Sequence, residues 1–216
     1  MPKRALIEHR PWLLASLVAA TAYYFVWNNP IGGVWLILLK GSAVGLLAAY
    51  AFRRTSGPDG MILVMVLALS SAADMALELD FTVGGSLFFA SHLVAIFLYL
   101  RNRRATTSLS QKLFAAALLL GVPGLSYLLS GRADIALYAL GLGAMAAAAW
   151  MSRFPRYRVG LGAVLFVISD WLIFSRIGPI DLTPLPDILI WPVYYAGQLM
   201  IATGVVQTLR GETPAR

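Results

Sequence analysis

The amino-acid sequence predicts an all-α polytopic membrane protein: a single transmembrane domain over residues 1–216, a bundle of about eight helices with both termini cytoplasmic. Three observations predict it. The chain is 59% hydrophobic and 12% charged, with mean hydropathy +0.75, where soluble domains hold about 45–50% apolar and about 25% charged residues. Eight stretches are each apolar over roughly the 20 residues a spanning helix needs. The cations fall almost wholly on alternate loops, as the positive-inside rule requires.

The helices are expected at 11–28, 31–52, 60–79, 82–100, 112–130, 134–152, 158–175 and 188–209. The first lacks a small-residue cleavage site and leads straight into another span, so it reads as a helix rather than a removable signal. Asn28-Asn29-Pro30 turns the chain into the second, whose apolar run is interrupted by Lys40. Ser56-Gly57-Pro58-Asp59-Gly60 is a turn signal before the third, which holds Asp74 within Met61–Leu79 (MILVMVLALSSAADMALEL). The fourth carries His92, and Arg101, Arg103 and Arg104 follow it as topology determinants facing anionic lipid. Ser130-Gly131-Arg132 divides the fifth from the sixth. The seventh holds Asp170 within Val159–Phe174 (VGLGAVLFVISDWLIF), and the Pro-rich 178–187 precedes the eighth. Gly121, Gly124, Gly141, Gly143, Gly160 and Gly162 with Ala146–Ala149 read as close helix packing, because small residues let membrane helices approach.

Charge fixes the topology. Loops on the N-terminal side hold Lys3, Arg4, Arg10, Arg53, Arg54, Arg101, Arg103, Arg104, Lys112, Arg153, Arg156, Arg158, Arg210 and Arg216, against Arg132 and Arg176 on the other. This bias accounts for the net charge of +7 without nucleic acid as a partner. No protein partner is evident. The chain has no cysteine and two histidines, His9 and His92, which excludes thiolate chemistry and leaves a His-rich metal site without ligands. No metal and no cofactor is expected.

Against this apolar background the polar residues stand out. A carboxylate at the centre of a spanning helix costs about 2.5–3.5 kcal/mol even on insertion scales, so Asp74 and Asp170 are expected to face a protein or water-filled interior and to be functional. Each lies about 5 residues, roughly 8 Å, from the outer end of its helix. Lys40 and His92 lie roughly 14 and 15 Å in from the same side, and Tyr194, Tyr195 and Gln198 roughly 9–15 Å in. Five helices therefore place polar groups in one slab. Lys40 reads either as counter-ion to an aspartate or as a phosphate grip, and His92 either as a structural residue or as lining the site. Tyr194, Tyr195 and Gln198 read equally as site or as packing. Ser70, Ser71, Ser91 and Ser169 read as helix–helix hydrogen-bond glue, and Glu78 and Asp80 as solvated rim charges.

Four segments resemble the YhhN family of lysoplasmalogenase-like membrane proteins. Ser70–Leu77 (SSAADMAL) is similar to its Ser-x-x-Gly-Asp-x-x-Leu stretch, and Gly84–Tyr99 (GGSLFFASHLVAIFLY) to its Gly-x-x-x-Phe-x-x-x-His segment. Gly162–Leu172 (GAVLFVISDWL) resembles the Gly-Ala-x-x-Phe-x-x-Ser-Asp signature, and Tyr194–Leu199 (YYAGQL) the Tyr-Tyr-x-x-Gln run. Ala73 stands where the family usually has Gly, and Gly41 where it tends to have Pro after Lys40. The resemblance implies hydrolysis of the vinyl ether bond of a lysophospholipid (lysoplasmalogen) to a fatty aldehyde and glycerophosphoethanolamine or glycerophosphocholine, with Asp74 and Asp170 as the catalytic pair. Lys40, His92, Tyr194, Tyr195 and Gln198 would bind the substrate. The implied location is a multi-pass position in a bacterial inner (plasma) membrane, among membrane lipid.

That chemistry suits the residues. Enol ethers hydrolyse through protonation at the β-carbon and capture of the oxocarbenium ion by water, which needs an acid, a carboxylate to steady positive charge and a base. In a low-dielectric pocket a carboxyl pair can divide these roles, one protonated and one ionised. Two other classes use the same features: a hydrolase of another lysolipid, and a proton-coupled transporter with the carboxylates as relay. No clear inverted repeat supports the transporter.

Overall fold

The computed structural model describes residues 10–28 and 33–212. The start of the second predicted helix, part of the Asn28-Asn29-Pro30 turn, and the topology cations Lys3, Arg4 and Arg216 lie outside the described residues. The described residues form eight α-helices: α1 Arg10–Val26, α2 Gly33–Arg54, α3 Pro58–Leu77, α4 Phe81–Arg101, α5 Leu109–Ser130, α6 Ala133–Met151, α7 Leu161–Ser175 and α8 Leu185–Glu212. No strand occurs among the described residues. Seven of the helical segments are long and apolar enough to cross a membrane. The exception is α1, whose 17 residues rise only about 26 Å. The chain is an integral, multi-pass, all-α membrane protein.

Local chemistry sets the helix ends. Gly57, at φ 86°, turns the chain into α3, and Pro58 stands at its first turn, where a missing N–H is harmless. Ser108 and Gln111 cap α5 reciprocally: the Gln111 backbone N–H donates to Ser108 Oγ at 3.3 Å and the Ser108 N–H to Gln111 Oε1 at 3.2 Å. This capping box starts α5 at Leu109, three residues before the expected 112. Gly131, at φ 68°, closes the same helix in the left-handed conformation. One feature departs in kind from the expectation. Residues 158–160, expected to start a regular seventh helix, instead belong to a π-helical turn, Arg156–Gly160, that leads into α7.

Two compact units divide the chain: residues 1–91 with 209–216, and His92–Thr208. In the first, α2 packs on α3 where Gly41 meets the third helix; a Cβ there would stand 2.4 Å from Met75 Cγ and 3.2 Å from the Ser71 carbonyl oxygen. In the second, the loops after α4 and α6 are joined at one end. The Arg104 N–H donates to the Met151 carbonyl at 3.1 Å and the Arg153 N–H to the Asn102 carbonyl at 2.8 Å. The clusters Arg101–Arg104 and Arg153–Arg158 thus lie on one side of this unit, as the charge pattern requires. Gly143 and Gly162 serve close packing as expected, with Cβ positions 2.7 Å from the Leu118 and Gly197 carbonyl oxygens. Gly121 and Gly124 do not, since a Cβ on either would meet nothing within 4 Å.

Candidate functional site

The second unit gathers most of the expected site. Asp170 is buried on α7 and lies five residues before that helix ends at Ser175. Helix α6 begins at Ala133, so Tyr138 lies five residues into it. Both are roughly 8 Å from the same end. The Tyr138 hydroxyl donates to Asp170 Oδ2 at 2.8 Å and lies 3.1 Å from His92 Nε2 on α4. The same phenol oxygen is within hydrogen-bond distance of the His92 ring nitrogen, whose role as donor or acceptor is set by the imidazole tautomer. Imidazole, phenol and carboxyl thus form one buried hydrogen-bonded chain. Among the described residues Asp170 has no cationic partner.

Aromatic rings extend this chain to α8. The His92 ring meets Phe166 edge-on at 5.0 Å, and Phe166 meets Tyr194 edge-on at 5.1 Å. Phe166 and Asp170 share a face of α7 at (i, i+4) spacing, as do Tyr194 and Gln198 on α8. Gln198 Nε2 donates to the Tyr194 hydroxyl at 3.3 Å, and both residues are buried. Close approach of α7 and α8 permits this. At their crossing Gly162 and Gly197 face each other, and a Cβ on either would lie 2.7 or 2.6 Å from the other's carbonyl oxygen. Tyr195, also buried, stacks on Trp191 at 6.4 Å. Trp171, next to Asp170, has a buried indole N–H with no acceptor among the described residues, an arrangement buried tryptophans rarely leave unfilled.

The first unit holds the remaining residues. Asp74 is 2% exposed, on the α3 face that also buries Ser70 and Ser71. Lys40 is not ion-paired with an aspartate. Its Nζ lies 2.7 Å from Glu78 Oε1, to which the Tyr23 hydroxyl also donates at 2.8 Å. Glu78 is therefore a partly buried ion-pair member rather than a solvated rim charge, because the long Lys40 stem carries its ammonium toward the helix end. Asp80 is exposed, and its Oδ1 accepts the Val83 N–H at 2.8 Å, capping α4. The serines divide. Ser70 and Ser91 bond each other at 2.9 Å, and Ser71 Oγ donates to the Gly41 carbonyl at 2.7 Å, each bond tying two helices. Ser169 instead donates within its own helix, to Phe166 O at 2.8 Å.

Tyr138 is the site residue that sequence reasoning passed over. Its signal was depth: one phenol in a helix of small and aliphatic residues, as far from the helix end as Asp170. Among the described residues no three His, Asp or Glu side chains converge as metal ligands would.

A helical membrane bundle with a buried carboxyl–phenol–imidazole chain defines the class: an integral membrane protein with a polar centre inside its apolar interior. The chain belongs to the YhhN family, whose model matches residues 35–205. That span runs from α2 into α8 and includes Lys40, Asp74, His92, Tyr138, Asp170, Tyr194, Tyr195 and Gln198. Comparison with curated proteins and with solved structures returns no match.

Proposed function

We propose that this protein is a hydrolase of the vinyl ether bond of lysophospholipids, with the carboxyl of Asp170 as general acid. The observation that carries the reading is the His92–Tyr138–Asp170 chain, in which a buried carboxyl is held by hydroxyl donors and, among the described residues, meets no cation that would fix it as a permanent anion. Family membership supports the same reaction class.

In the proposed reaction Asp170 gives a proton to the β-carbon of R–CH=CH–O–R′ as the carbon–carbon double bond opens. The positive charge spreads over the α-carbon and the ether oxygen. Water then adds to the α-carbon and loses a proton to a carboxylate, forming a hemiacetal. Collapse of the hemiacetal breaks the carbon–oxygen bond, releasing the aldehyde R–CH₂–CHO and the alcohol R′–OH. One water is consumed and the catalytic proton is regenerated. Asp74 is the proposed second carboxylate, steadying the cation and activating water. Tyr138 orients the acid, and His92 holds Tyr138. Tyr194, Gln198 and the Trp171 indole N–H would line the substrate path, with Tyr195 behind them. Lys40, already engaged by Glu78, would act on substrate only at the outer rim.

The test is aldehyde release from lysoplasmenylethanolamine by the purified protein, beside ester and alkyl ether lysolipids of equal chain length. Cleavage of the vinyl ether alone is expected. Cleavage of the ester alone would reassign the protein to another lysolipid hydrolase. Substrate-dependent proton flux in liposomes without any product would favour the transporter.

A further inference from the structure

One end of the second unit holds a cavity of about 490 Å³ lined by Arg104, Pro155, Arg156, Tyr157, Arg158 and Gln207. Its volume falls within the roughly 300–1,000 Å³ usual for small-ligand sites, and it opens broadly to the surface. Three of its linings are guanidinium groups, each held by a neutral neighbour. Arg104 donates from Nε and Nη2 to the Ser152 carbonyl at 3.2 and 3.1 Å, and from Nη2 to the Phe154 carbonyl at 3.3 Å. Arg158 donates to the Gln207 amide oxygen. Arg156 lies 5.9 Å from the centroid of the Trp150 ring, and its buried Nε has no acceptor among the described residues.

Carbonyls, an amide and a ring hold these groups in place without cancelling their charge. The opposite end of the same unit does the reverse. There Arg132 pairs with Asp134 at 2.5 Å, and Arg176 pairs with Asp187. No aspartate or glutamate occurs in 81–133 or 135–169, the stretches that supply every lining residue but Gln207. Among the described residues no carboxylate is paired with these three guanidinium groups, so the cavity is a preorganised cationic site. Guanidinium groups match phosphate oxygens in planar, paired hydrogen bonds. The location fits a phospholipid headgroup. The cavity lies just beyond the ends of α4 and α6, and Tyr157 beside it is 78% exposed, as aromatic residues at headgroup depth are.

We propose that this cavity binds a phosphate-bearing anion, the headgroup of an anionic phospholipid in the leaflet at this end. It is separate from the site around Asp170, which lies 12 residues along the chain from Arg158, roughly 18 Å of helix. The π-helical turn gives the segment its purpose here. It presents Arg156, Tyr157 and Arg158 in succession at the cavity wall.

The test is native mass spectrometry of the full chain in detergent, titrated with phosphatidylglycerol, phosphatidylcholine or inorganic phosphate. Phosphatidylglycerol is expected to bind about tenfold more tightly than phosphatidylcholine. Arg156→Gln and Arg158→Gln should each weaken it about fivefold, as loss of one headgroup-level arginine predicts. Because the Arg158 side chain is exposed, its substitution keeps the test clear of misfolding. Inorganic phosphate that binds alone as tightly as phosphatidylglycerol would identify a free anion as occupant and overturn the lipid assignment. Equal binding of the two lipids, or unchanged phosphatidylglycerol binding in both variants, would overturn the site itself. Neither readout involves aldehyde release, so this result and the test of the ether hydrolase stand or fall separately.

Discussion

Glu78 and Asp170 each accept a hydrogen bond from a tyrosine hydroxyl at 2.8 Å, Glu78 from Tyr23 and Asp170 from Tyr138. What differs is the third member. Glu78 also meets the Lys40 ammonium at 2.7 Å, whereas the phenol beside Asp170 is held in turn by an imidazole at 3.1 Å. A cation at contact distance commits a carboxyl to its ionised form, so the Glu78 group is suited to holding α2 and α3 together. A carboxyl held only by neutral donors is free to exchange a proton. The same local motif therefore serves structure in one unit and, on the proposed reading, chemistry in the other.

The sharpest way to break this comparison is to remove the acidic function from each carboxyl with an isosteric amide. Asp170→Asn is expected to lower kcat for aldehyde release by about 10²–10⁴-fold, the usual worth of general acid catalysis, while the protein stays folded and monodisperse. Asp74→Asn should fall in the same range. Glu78→Gln should leave kcat within about threefold and act on stability instead. Full activity in both aspartate variants would refute the catalytic assignment, and loss of activity in a stably folded Glu78→Gln would erase the distinction between the two motifs.

Next in size is the phenol. Tyr138→Phe removes the hydroxyl that links His92 to Asp170 and is expected to reduce kcat about 10–100-fold with little change in KM, and to alter the pH profile. That pattern marks a residue acting on the acid rather than on substrate. Tyr23→Phe removes the equivalent bond to Glu78 and should cost about 1 kcal/mol of stability with activity intact. Matched kinetic effects in the two variants would mean that the tyrosines do the same work.

Most of this arrangement was legible wherever a residue violated its surroundings. Eight apolar runs bounded by Pro, Gly and Arg gave all eight helices, because the bilayer penalises polar groups over a fixed length. The burial of Asp74, Asp170, His92 and Gln198 was legible for the same reason. Tyr138 left only the trace of its depth, which matches that of Asp170, because a tyrosine in a spanning helix is no anomaly and its pairing across α6 and α7 is what gives it meaning. The partner of Lys40 is not legible from depth along the helix, because Cα rise locates the backbone and not the end of a long stem. The ammonium reaches the helix end, where Glu78 waits half-buried. The π-helical turn at Arg156–Gly160 has no sequence signature comparable to Gly131 or Ser108, and it appears only once the helix is built.

The ion pair in the first unit sharpens the comparison from its structural side. With side chains 13% and 21% exposed, the Lys40–Glu78 pair is partly shielded, and Glu78→Gln or Lys40→Met alone should destabilise by about 2 kcal/mol. The double substitution should cost less than the sum of the two, since neither charge is then left alone. Thermal unfolding in detergent measures all three. Strict additivity would show that the pair contributes little and that Glu78 is held by Tyr23.

The smallest expected effect concerns the indole beside the acid. Trp171→Phe keeps an aromatic ring in place but removes the N–H that finds no acceptor among the described residues. If that donor meets a polar atom of the substrate, the variant should raise KM about three- to tenfold, the worth of one neutral hydrogen bond in a buried site. Because the contact would be equal in ground and transition states, kcat should hold. A buried donor without a partner also destabilises the resting protein, so the same variant should unfold no earlier than the parent, and by this reasoning slightly later. A raised KM with unchanged or higher thermal stability would tie the empty donor to substrate. A lowered Tm with unchanged KM would make Trp171 a packing residue and leave Asp170 to act without it.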